Sequence, residues 1–140
     1  MIIMSVDYGD VRTGIAISDR LETFAFPVEV ICETYQPKVI AKIQNIIADK
    51  APELIVVGYP RNMNASEGSR AQKCKEFAQE LERATNVKCV MWDERLTTVS
   101  AHNFLNETNT RGKKRKNVVD SVAATIILQD YLDYRRNHNG

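Results

Sequence analysis

Apolar residues recur along this chain in two rhythms, and the change from one to the other marks out its elements. Met1 to Val6 is an almost unbroken apolar run with β-branched character. It is too short for a helix and is bounded by turn residues, which predicts a buried strand. Gly9 and Asp10 supply turn chemistry, and Gly14-Ile-Ala-Ile-Ser18 resumes as a second strand, so a hairpin is expected with Asp7 beside its turn. Phe24 to Cys32 predicts a third strand, which Pro27 confines to a sheet edge because proline cannot donate to a ladder. From Gln36 to Lys50 the rhythm switches. Val39, Ile40, Ile43, Ile46 and Ile47 recur at helical spacing and form one apolar face.

The two rhythms then alternate. Glu53 to Gly58 predicts a fully buried strand, after which Asn64 or Ser66 can cap a helix whose buried stripe is Ala71, Cys74, Phe77, Ala78 and Leu81. Val87 to Trp92 predicts the fifth strand. A short helix capped by Thr97 or Thr98 follows, with Ala101, Phe104 and Leu105 inward. Residues 106–116 are polar and basic and are expected to form a mobile loop. The last helix, Asn117 to about Arg136, carries Val119, Ala123, Ala124, Ile127, Leu128 and Tyr131 on one side.

A three-strand meander followed by alternating helices and strands predicts a mixed α/β sheet. A right-handed crossover lays the fourth strand beside the first in parallel, with the fifth outside it, giving the order 3-2-1-4-5 flanked by helices. Carboxyl ends of parallel strands then gather at one rim, where such sheets bind ligands. Asp7, Gly58 and Glu94 stand at those ends. Asp120 joins them by helical spacing, since it shares a stripe with Ala123, Ala124, Ile127, Leu128 and Tyr131. Asp7 taken alone either caps its turn or binds something. Three carboxylates brought together repel unless a cation sits among them, and oxygen ligands without His or Cys suit a hard ion, Mg²⁺ or Mn²⁺. A pair of such ions ~3.5–4 Å apart activates water and stabilises the leaving oxygen of a phosphodiester.

Composition changes this picture little. A chain of 140 residues without repeats or a linker is expected to form one domain, 1–140. Three cysteines without Cys-x-x-Cys spacing suggest neither a disulfide framework nor a zinc site, and Cys32, Cys74 and Cys89 are expected to be reduced and partly buried. His102 and His138 have no neighbours that suggest nucleophilic catalysis. No segment has the length of a membrane span, and Asp7 interrupts the apolar start, so a cytoplasmic protein without a usual signal peptide is expected. A net charge of +1 gives no global steering toward nucleic acid. Local charge does: Arg111 to Lys116 holds five cations in six residues and leads directly into Asp120. Lys113, Lys114, Arg115 and Lys116 would therefore flank the acids where a phosphate backbone approaches.

Four stretches together, Asp7–Asp19 (DYGDVRTGIAISD), Val56–Gly68 (VVGYPRNMNASEG), Asp93–Thr98 (DERLTT) and Asp120–Leu132 (DSVAATIILQDYL), resemble the YqgF/RuvX family of Holliday-junction-resolvase-like proteins, also described as pre-16S rRNA nucleases. The resemblance covers nearly the whole chain in the right order. It implies a ribonuclease H-like fold, catalytic metals held by Asp7, Glu94 and Asp120, and a structured nucleic acid as substrate, either precursor 16S rRNA at its 5′ end or branched DNA. The ribosome is an expected partner of the first activity. A homodimer would suit the second, because cutting two strands takes two sites. Arg12, beside the first turn, either grips phosphate bidentately or pairs with Asp10 or Asp19. Arg95 either touches substrate or neutralises the acids, and Arg61 meets a phosphate or covers its loop. Two other classes compete. The pattern from Asp7 to Ala16 also resembles the first phosphate motif of the actin, hexokinase and Hsp70 superfamily, but those proteins clamp nucleotide between two such domains. A non-catalytic nucleic-acid-binding factor would keep the fold and lose the turnover.

Overall fold

An unbroken apolar strand is stable only where both faces of a sheet are covered. Ile3–Asp7 (β1) meets that condition at the centre of a five-stranded sheet. The computed structural model describes residues 1–59, 68–93 and 112–139, with side chains at 1–58, 71–92 and 123–137. Arg12–Ser18 (β2) and Ala25–Cys32 (β3) continue β1 as an antiparallel meander, while Leu54–Tyr59 (β4) and Lys88–Asp93 (β5) lie parallel to it on the other side. The order is β3-β2-β1-β4-β5, as the crossover argument expects.

Alternation along the strands divides the core in two. Met4, Val6, Ile15, Ile55 and Val57 face two helices, Gln36–Lys50 (α1) and Gly68–Thr85 (α2), and meet Val39, Ile43, Phe77 and Leu81. Ile3, Ala16, Leu54 and Val56 face the opposite way, under Gly112–Asn139 (α3), which contributes Ala124, Ile127, Leu128 and Leu132. Pro27 lies on the edge strand as expected. Pairing steps from Ile15↔Glu29 to Ala16↔Pro27, which leaves Val28 as an extra residue and accommodates the ring at a bulge. Among the described residues no helix is long and apolar enough to cross a membrane.

Several expectations are corrected. α3 begins at Gly112 and not at Asn117, so Lys113 to Lys116 belong to its first turns and not to a loop. Lys and Arg are good helix formers, and a polar run hides a helix only from a search for apolar periodicity. Cys32 is exposed, whereas Cys74 is buried and Cys89 is half-buried. Burial, together with the nearby Glu82 charge, pushes the Cys89 thiol up to about 12, so it stays protonated at neutral pH. Asp19 is no partner for Arg12. The two stand at opposite ends of β2, roughly 20 Å apart at strand rise. The Asp19 carboxylate instead accepts the amides of Phe24 at 3.0 Å and Thr23 at 2.7 Å, which hold it below the usual carboxylate range. The expected caps Asn64 and Ser66, the short helix after β5, and residues 106–111 lie outside the described residues.

The turn after β1 requires glycine. A Cβ on Gly9 would stand 2.1 Å from the Arg12 carbonyl oxygen, a backbone atom that cannot swing away. Gly9→Ala is therefore expected to lower Tm by several degrees, for a loss of about 1–3 kcal/mol, in a thermal denaturation scan.

The C-terminal half of α3 is tied to the chain around Glu22. Arg135 Nε donates to Glu22 Oε1 at 2.8 Å, the N-terminal ammonium meets Glu22 Oε2 at 3.1 Å, and Gln129 bridges the Ala25 amide and the Thr23 carbonyl. Partial burial pushes the Glu22 carboxyl up, but Arg135 and the N-terminus outweigh it and leave it below its ordinary value of 4.5. A carboxylate depressed on folding adds stability above its unfolded titration, and that contribution is lost as pH falls through the folded value. Glu22→Gln is expected to lose about 1 kcal/mol or less at pH 7, since the pair is partly exposed. Its Tm should converge with that of the parent as pH falls below 4.5, which a series of melts checks.

Candidate active site

β1 ends in a carboxylate because the strand leaves the sheet there. Asp7 pairs with Gly14 across the hairpin and is half-buried. Alternation gives Ile3, Ser5 and Asp7 one face of the sheet, the face that α3 covers. Tyr8 turns to the other face, where its ring stacks on Phe77 with centroids 4.0 Å apart and planes within 6°, anchoring the strand end to α2.

The parallel strands finish at the same rim. Val6 is level with Val57, and Tyr59 is level with Asp93, the last residue of β5. Glu94 is the next residue and lies outside the described residues. On β5, Val90 and Trp92 pack on the α3 side. Trp92 meets Tyr131 and Tyr134 edge to face at 5.5 and 5.4 Å, and its buried indole N–H has no partner among the described residues.

α3 runs antiparallel to β1. Its far end is held at Glu22 beside the N-terminus, and its nearer part is met by Ser5, whose hydroxyl donates to the Ala124 carbonyl at 2.6 Å. From that bond, one turn back along the helix rises ~6 Å and reaches Asp120. Two residues on along β1 rise ~6–7 Å and reach Asp7. Helix and strand therefore climb together, and the backbone positions of residues 7 and 120 come to a common height at the rim. Beyond Asp120, Lys113, Lys114, Arg115 and Lys116 occupy the N-terminal turns of α3, on the rim side. Arg12 opens β2 across the hairpin turn from Asp7 and is half-buried. Arg61 and Arg95 lie outside the described residues.

Of the three expected acids, Asp7 has a described side chain. Among the described residues no group of at least three His, Cys, Asp or Glu side chains could hold a metal ion. Sequence reasoning missed Ser5 and the Tyr8–Phe77 stack. Ser5 did leave a signal, a lone hydroxyl in an apolar strand that is 0% exposed. The stack joins residues far apart in sequence and left none.

A family model described as RuvX: Holliday junction resolvase matches residues 1–134. The chain is 44% identical over 140 residues to a protein of Agathobacter rectalis, with 98% of each chain covered, and that protein is named "Putative pre-16S rRNA nuclease". A protein of Halothermothrix orenii with the same name is also 44% identical, over 100% of both chains. In three dimensions the chain is similar to Thermus thermophilus RuvC in complex with a Holliday junction substrate, with a TM-score of 0.65 at 11% identity, covering 98% of this chain and 96% of that one. It is also similar to the fowlpox virus Holliday junction resolvase, with a TM-score of 0.56 at 15% identity, covering 96% and 99%. At these identities the likeness shows the fold alone, which is ribonuclease H-like.

Proposed function

The chain belongs to the RuvX family, and from that premise we propose that it is a metal-dependent nuclease acting on structured nucleic acid, with the 5′ end of precursor 16S rRNA as substrate. The names of its relatives support the substrate. The observation that carries the site is the common height of residues 7 and 120, set by α3 lying antiparallel on β1 beside the Ser5–Ala124 bond. Asp7 from the end of β1, Glu94 from just beyond β5 and Asp120 from α3 would hold the metal.

The donor chemistry fits a hard cation. The proposed ligands are carboxylates, and neither sulfur nor imidazole belongs to the set. Mg²⁺ or Mn²⁺, when bound, would activate water and neutralise charge on the leaving oxygen. The protein's own contribution is to hold rigid oxygens at a sheet rim and to receive the phosphate backbone. Arg12 offers a planar fork suited to phosphate, and Lys113, Lys114, Arg115 and Lys116 bring charge to the same rim. Arg61 and Arg95 complete the set of substrate contacts. Precursor ribosomal particles are the expected partner, and a homodimer would be required only for paired cuts.

The test is to incubate the protein with an end-labelled precursor-rRNA leader and a four-way DNA junction in parallel, in Mn²⁺, in Mg²⁺ and in chelator. Cleavage of the leader that chelator abolishes is expected. Cutting of the junction alone would make the protein a resolvase, and full activity in chelator would refute the metal.

A further inference from the structure

We propose that Ser5 is a positioning residue, its hydroxyl fixing the height of α3 on β1 and with it the separation of Asp7 and Asp120. The inference deepens the reading above and rests on it. Ser5 is fully buried, and its Oγ donates to the Ala124 carbonyl at 2.6 Å across a separation of 119 residues. The apolar cluster on that face of the sheet cannot fix a height. Ile3, Ala16, Val56, Ile127 and Leu128 are apolar, and apolar burial is non-directional, so a helix on such a floor can slide with little change in buried area.

The bonds of Gln129 and Arg135 on α3 do not substitute for this one. Gln129 reaches Thr23 and Ala25, and Arg135 reaches Glu22, so both hold the far half of the helix to the start of β3 and the turn before it, not to β1. Ser5 joins the strand bearing one acid directly to the helix bearing another, two residues from Asp7 and one turn from Asp120. A small side chain there also lets the helix approach closely, and alanine would do that equally well. The hydroxyl adds a direction. Sites of this kind need their groups held to within ~0.5 Å, which close approach alone does not provide.

The test measures Mn²⁺ affinity by titration calorimetry, without substrate, on the full chain and on Ser5→Ala, Ile127→Val and Asp7→Asn. Ser5→Ala is expected to weaken Mn²⁺ binding about tenfold, the lower end of what losing a ligand-orienting partner costs. Ile127→Val trims the same apolar floor without touching the bond, and is expected to bind within about twofold of the parent. Unchanged affinity in Ser5→Ala alongside weakened Asp7→Asn would overturn the role of Ser5 and leave the metal site standing. Equal weakening in Ile127→Val would also overturn it, because general loosening would then suffice. Unchanged affinity in Asp7→Asn would remove the metal site itself, and this inference with it.

Discussion

Asp7→Asn is expected to reduce cleavage of the precursor-rRNA leader by at least about a hundredfold, without lowering Tm. Losing an outer partner of a metal ligand already costs roughly 10–100-fold, and a direct ligand should cost more. Asparagine keeps the shape of the side chain and one acceptor oxygen while removing its charge, so a role in capping the hairpin turn would largely survive. Stability should respond in the opposite sense to activity. Carboxylates gathered at the rim repel one another when no cation lies between them, and neutralising one relieves that repulsion. Parallel measurement of initial cleavage rates in Mn²⁺ and of metal-free melting curves separates the two roles. Activity and Tm falling together, by many degrees, would make Asp7 a turn residue. Activity lost at unchanged or raised Tm is the signature of a group retained for binding.

The sheet was legible because each step of it is locally determined. Runs such as Leu54–Tyr59 are too short and too apolar for anything but a buried strand. Gln36–Lys50 announces itself by its period and by Pro37 near its start. The handedness of crossovers then leaves one simple order. Asp7 and Asp120 could be named as site candidates, since strand ends and helix stripes are local properties. Their common height was not legible. It depends on a bond between Ser5 and a backbone carbonyl of α3, and carbonyls carry no mark in a sequence. The same limit hid the bulge at Val28, a matter of register with β2, and the exposure of Cys32, whose place on an edge strand leaves one flank uncovered. The start of α3 was misread for a different reason: its first turns present charge where a periodic apolar face was sought.

That charged start carries the second large expectation. Replacing Lys113, Lys114, Arg115 and Lys116 together with glutamine should weaken binding of the rRNA leader about a hundredfold at low salt, while raising the Tm of the free protein. Glutamine has nearly the helix propensity of lysine and arginine, so the helix itself is preserved. The first turns of a helix favour anions, and α3 has no acidic residue there to offset the cations. Each misplaced charge costs about 0.3–1 kcal/mol at low ionic strength, and like charges one turn apart add to it. A phosphate backbone arriving at the rim would relieve both penalties at once. Every phosphate that goes without its cation should also make the dependence of log affinity on log salt shallower by roughly 0.7–0.9, so removing all four cations flattens it by about three. Fluorescence anisotropy of the labelled leader across a KCl series reads the affinity and the slope together. An unchanged slope would mean that these cations are merely solvated. A flattened slope with a raised Tm would show a helix start that forgoes stability to meet its substrate.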